Sequence, residues 1–269
     1  MHTLRNRILL FGSTLAAGIA SLGLHRYMME HCFDERGLLV AGTLPVKLLW
    51  AIGIAFVAIL VLTLRSIGGD GSYADNFPAD SVSGGLMLAA GVVLAWAVPG
   101  LDTDHMQPVA EGLALAITAA MDKAAAVLPW LAAACMAVLG GFRMAGKRPW
   151  PIFGGIICLF YMLTLVSNYR IWSADPRLYA YAYPLLAEVL LMLAAFHRTC
   201  CDALVFQRKK LLATCLGAAV CCIAALSGGF QWRFFLASAF WALGSMCHMA
   251  VLPPDPEEEP ETPAGEKTE

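Results

Sequence analysis

Apolar residues in this chain come in long unbroken runs, separated by short polar segments rich in Gly, Pro, Asp and Arg. The runs neither alternate, as strands would, nor confine themselves to one face of a helix. Eight of them lie near the length of about twenty residues that carries a helix across a bilayer. They cover about 8–24, 44–64, 82–99, 124–142, 152–167, 182–196, 211–227 and 234–252. Continuous runs predict α-helical spans and exclude a barrel, whose lipid-facing and lumen-facing residues alternate. Residues 109–121 are short, mildly apolar and interrupted by Glu111, which predicts an interfacial or partly buried helix instead of a ninth span.

Composition agrees with the pattern. Of 269 residues, 59% are hydrophobic and 14% charged, against about 25% charged in soluble domains. The expected fold class is therefore an all-α polytopic transmembrane bundle over residues 1–252, with the lipid bilayer as its main partner. Residues 253–269 form an acidic, Pro-rich tail that cannot bury a core and is expected to be disordered. Arg5 and Arg7 ahead of the first run would suit a signal peptide cleaved after Gly18-Ile19-Ala20. The length of the run and the spans that follow favour an uncleaved first helix.

With the N-terminus cytoplasmic, eleven of the eighteen Lys and Arg residues fall on inner segments, including the runs RMAGKR and QRKK. This satisfies the positive-inside rule and places both termini inside. Crossing by 109–121 would move both basic runs outside, so charge favours eight spans over nine. Trp96, Trp130, Trp172 and Trp232 then sit at outer span ends and Trp150 at an inner one, as interfacial tryptophans do. The expected location is a bacterial cytoplasmic membrane.

Candidate chemistry collects around residues 168–183, where Asn168, Tyr169, Arg170, Trp172, Asp175 and Arg177 lead into the sixth run. Arg and aromatic groups in that density suit an anion or a sugar-like ligand, and they equally suit an interfacial hairpin. Just below, Glu188 interrupts PLLAEVLLMLAAF. A charged side chain inside a span costs about 2.5–3.5 kcal/mol on insertion scales unless it is paired or neutralised. Two readings follow for Glu188: a structural ion pair with Arg170, Arg26 or Lys47, all expected at the same depth, or a carboxylate on an ion or substrate path. The candidate site residues are Glu188, Arg170, Asp175, Trp172, Lys47 and Arg26.

The nine cysteines show no CxxC spacing and mostly fall in apolar runs, where Cys packs as a small hydrophobe. Cys32 alone lies in a polar loop. His197 and His248 share a depth but have nothing else to mark them as a haem pair. Signatures of serine hydrolases, zinc proteases and P-loop nucleotide binding do not occur. No metal, cofactor, catalytic residue or nucleic-acid partner is expected.

The segment NYRIWSADPRLYAYAYPLLAEVLLMLAAFHR resembles uncharacterised multi-pass membrane proteins of anaerobic Gram-positive gut bacteria, in which a YRxWSxDP segment precedes an apolar helix. The loop DERGLL, from Asp34 to Leu39, resembles them too. The resemblance implies the span plan and no activity. Eight spans also match, by hydropathy alone, the membrane anchors of DMSO-reductase-type complexes. The leading expectation is a transporter-like or ligand-sensing bundle with an outward polar cleft built from residues 168–183, the loop 25–36 and Glu188. The alternative is a non-catalytic anchor or assembly subunit of a larger, redox-type membrane complex.

Overall fold

The computed structural model describes residues 2–34, 38–40, 43–65, 67, 72–101, 113–173, 175, 178–229 and 231–246, with side chains from residue 9 onward except at 113–125, 171 and 178. Among these the chain is helical: α1 (His2–His31), α2 (Leu44–Arg65), α3 (Tyr73–Asn76), α4 (Ser81–Ala97), α5 (Leu113–Met144), α6 (Pro151–Trp172), α7 (Ala182–Asp202), α8 (Arg208–Ala225) and α9 (Trp232–Gly244). Six of them are long and apolar enough to cross a membrane: α2, α4, α5, α6, α7 and α8, some with a flanking turn.

Two expected spans fall outside that six. Helix α1 is long enough at 30 residues, and its side chains are described only from residue 9 onward. Helix α9 has 13 residues as described, about 20 Å, and residues 247–252 of the expected eighth span lie outside the described residues. The reading of 109–121 as a separate interfacial helix also changes. From Leu113 onward it is the first part of α5, a single 32-residue helix that runs through Pro129. At about 48 Å, α5 is longer than the roughly 30 Å hydrocarbon core. The acidic tail lies wholly outside the described residues.

Local chemistry sets the helix starts. Asp80 caps α4, its carboxylate accepting from the Val82 N–H at 2.9 Å and from the Ser83 hydroxyl at 2.6 Å. Ser72 and Asp75 form a capping box on the short α3. Gly146, at φ 62°, turns the chain after α5, and Pro151 opens α6 at a position whose N–H needs no partner.

Helices α4 to α9 pack each against the next, and α9 returns to α4, so six helices close a ring. Its middle is filled, not open. Tyr161 of α6 lies 5.5 Å from Trp241 and 6.1 Å from Phe234, both of α9, and its hydroxyl meets Ser238 at 3.2 Å. Helix α1 packs outside the ring on α8, and α2 packs on α1. Close approach within the ring depends on glycine. A Cβ on Gly84 would come within 2.7 Å of the Gly140 carbonyl, one on Gly91 within 2.6 Å of the Ala133 carbonyl, and one on Gly244 within 2.7 Å of the Ser83 carbonyl. Small residues at such crossings replace the hydrophobic driving force that lipid removes.

Candidate functional site

Helices α6 and α7 run antiparallel, so the end of α6 lies beside the start of α7. That places Asn168, near the end of α6, against Glu188, about 9 Å along the axis from the start of α7. Glu188 is fully buried and Asn168 nearly so. The Asn168 Nδ2 donates a short hydrogen bond to Glu188 Oε1. Oε2 is buried and has no hydrogen-bond partner among the described residues. Cys222 of α8 lies within electrostatic reach. The carboxyl group thus faces the seam between α6, α7 and α8, away from lipid.

The expected ion pairs are not formed. Arg170 is exposed at the end of α6 and Lys47 is exposed on α2. Arg26 pairs with Glu30 on its own helix at 3.2 Å, both side chains more than half exposed. The reason is rotational. Arg170 lies two residues beyond Asn168, which turns it about 200° from the face that meets α7. Asp175 is engaged elsewhere, accepting from the Tyr181 hydroxyl at 3.0 Å. Trp172 is buried and stacks on Tyr181, with ring centroids 4.9 Å apart and planes 8° apart. Of the candidates, then, Trp172 and Asp175 come together around Tyr181, and Glu188 stands apart with Asn168. Arg177 lies outside the described residues.

Beside this seam a second polar group crosses from α1. His25 is buried, its Nδ1 bonded to the Ser227 hydroxyl in the turn after α8. Its ring meets Tyr183 of α7 edge-on at 5.1 Å, and the Tyr183 hydroxyl bonds Ser21. Cys32 is buried against Met28 and Leu49 instead of lying in an open loop. The loop folds back on itself, the Val40 N–H donating to the Cys32 carbonyl at 3.0 Å and the Leu38 N–H to Asp34 at 2.7 Å.

At the far end of the bundle the structure gathers residues that the sequence showed only as basic markers. Arg198 and Asp202, one turn apart on α7, form an ion pair of 3.2 Å with both side chains almost fully buried. The Tyr73 hydroxyl bridges them, accepting from Arg198 Nη2 at 3.3 Å and donating to Asp202 Oδ1 at 3.2 Å. Arg198 also donates to the Ser245 carbonyl at 3.4 Å, and Arg143 to the Met246 carbonyl at 3.5 Å. These two arginines therefore serve carbonyls at and just beyond the C-terminal cap of α9. Both guanidinium groups lie against the ring of buried Phe77, at 3.9 and 5.1 Å. Arg148 Nε donates to the Asp202 carbonyl at 2.7 Å. Burial pushes the Tyr73 hydroxyl up to about 12, a shift that the Arg198 charge opposes, so it stays a neutral donor near neutral pH. Asp80 is partly buried, which would raise its carboxyl. The Ser83 hydroxyl and the Val82 and Ser83 N–H groups outweigh that and hold it below the usual carboxylate value.

The i,i+4 spacing of Arg198 and Asp202 was the one sequence signal for this cluster. Tyr73, Phe77 and Ser245 come from distant parts of the chain and carried none. Among the described residues no three His, Cys, Asp or Glu side chains group as a metal site would require. Compared with protein-family models, with curated proteins and with solved structures, the chain matches none.

Proposed function

We propose that this chain is a multi-pass protein of a bacterial cytoplasmic membrane, crossing the bilayer eight times with both termini inside, and that it acts as a transporter-like or ligand-sensing bundle. Two of the eight crossings are assigned to α1 and α9. The orientation is supported by Arg143, Arg148, Arg198 and Arg208 sharing one end of the bundle, which the positive-inside rule puts in the cytoplasm.

The observation that carries the functional reading is Glu188. A structural carboxylate inside a bundle is expected to be matched by a cation or by several donors. Glu188 has one amide, one oxygen without a partner, and no basic neighbour among the described residues. Such a group costs stability, and its retention fits a working role. The expected cleft of residues 168–183, the loop 25–36 and Glu188 narrows to a site at Asn168 and Glu188, with His25 and Tyr183 beside it.

Flux measurements test this. Proteoliposomes holding the full chain and a trapped pH-sensitive dye are subjected to a potassium diffusion potential. Wild-type vesicles are expected to change lumenal pH faster than Glu188→Gln vesicles. Equal rates would sink the transporter reading.

The second reading, a non-catalytic anchor subunit, is favoured by one feature. Lys147, Arg148, Lys209 and Lys210 are exposed beside the buried Arg198 cluster and offer a basic face to a soluble partner. Recovery of a stoichiometric subunit with the chain from native membranes, together with equal vesicle rates, would support that reading.

A further inference from the structure

We propose that Glu188 is a proton-binding site, held as the neutral acid in the resting bundle and releasing its proton toward the outer surface as the seam between α6, α7 and α8 opens. The coupling to transport rests on the reading above; the bound proton does not.

The surroundings argue for a proton over other neutralising partners. From α6 the group facing Glu188 is Asn168. From α8 it is Cys222. Five residues nearer the start of α7 is Tyr183, which is turned toward Ser21 and His25 of α1. None of these carries a charge opposite to a carboxylate at Glu188, and Arg170, Lys47 and Arg26 all sit exposed elsewhere. A metal cation needs several oxygen ligands, while the described residues bring one carboxyl and one amide. A proton needs a single lone pair, and Oε2 has no hydrogen-bond partner among the described residues. An unpaired neutral hydroxyl is also far cheaper to bury than an unpaired charge.

The route out follows from position. Glu188 lies about six residues, or about 9 Å, inside the start of α7. Above it His25, Ser227, Tyr183 and Ser21 place polar atoms across the junction of α1, α7 and the turn after α8. His25 is buried there, with the Ala180 backbone beside its ring.

Dicyclohexylcarbodiimide tests the proposal on the unmodified full chain in native membrane vesicles. The acid form reacts: its O–H adds across one C=N bond, and the acyl group shifts from oxygen to nitrogen to leave a stable N-acylurea. Peptide mass spectrometry then reads each carboxyl. At about pH 7, well above the ordinary Glu value near 4.3, Glu188 is expected to be modified and the exposed Glu30 not. Modification of Glu188 is expected to fall as the pH is raised. An unmodified Glu188, or modification that does not change with pH, would overturn the proposal. Protection by sodium chloride at constant pH would also overturn it, in favour of a metal cation. Modified Glu188 in a protein whose vesicles show no proton flux would keep the proton site and remove the transporter reading.

Discussion

Helix α7 carries two buried carboxylates fourteen residues apart, about 21 Å along its axis, and their surroundings are opposites. Asp202 has the Arg198 guanidinium, the Tyr73 hydroxyl and the nearby Arg148. Among the described residues Glu188 has the Asn168 amide on one oxygen and no hydrogen-bond partner on the other. The first is a charge-paired network that ties α3, the end of α7 and the end of α9 together. The second is a site left uncompensated in an otherwise close-packed seam. A buried charge that is fully served does structural work, and one that is not is where function should be sought.

Mutations can break that comparison at either end. The largest effect is expected from Asp202→Ala, which leaves the Arg198 guanidinium buried without its counter-charge. Removing one partner of a buried pair costs about 3–5 kcal/mol, so yield and thermal midpoint in detergent should fall sharply. A midpoint close to wild type would show that the network is not structural. Tyr73→Phe deletes only the bridging hydroxyl and should cost about 1–3 kcal/mol. Burial raises this hydroxyl above the ordinary Tyr value, so its contribution is present at neutral pH. It is lost as the pH rises from about 10 toward about 12. The wild type should lose this difference from Tyr73→Phe over that window, and a constant difference would refute the assignment.

Asp80→Ala removes the α4 cap at about 1 kcal/mol. Its carboxyl is held below the usual value, so its contribution is complete above about pH 4 and disappears as the pH falls further. Unfolding midpoints of Asp80→Ala and wild type should converge in acid, and a gap that persists there would count against the cap. The smallest effect, and the most telling, is expected from Glu188→Gln. The amide keeps the shape and needs no counter-charge, so the midpoint should be unchanged or slightly higher. Loss of several kcal/mol would place Glu188 beside Asp202 as a structural carboxylate and erase the contrast.

Much of the fold was legible in the chain because bilayer thickness and backbone hydrogen bonding leave few choices to a long apolar run. The expected boundaries of α2, α4 and α8 lie within a few residues of those observed. Helix α5 was harder, since the short, mildly apolar stretch 109–121 looked separate from the span expected at 124–142. The site was half legible. Glu188 declares itself by its cost, whereas Arg170, Arg26 and Lys47 were weighed as its partners on depth alone. Depth is a property of sequence position; facing is a property of rotation, and two residues of rotation separate Arg170 from Asn168. The Arg198 network was read only as a topology signal, because Tyr73, Phe77 and Ser245 meet it through contacts that no local pattern announces.

The sequence by itself determined that this is an all-helical protein with the run lengths of a membrane bundle, and that one acidic residue lies inside an apolar helix. Those follow from hydropathy and length, which are one-dimensional. Only the tertiary structure decided which of the two acidic residues on α7 is compensated. Charge pairing depends on which helix faces become neighbours when α9 closes the ring on α4, and in this ring Arg198 and Arg148 gather on Asp202 while Glu188 is left with an amide.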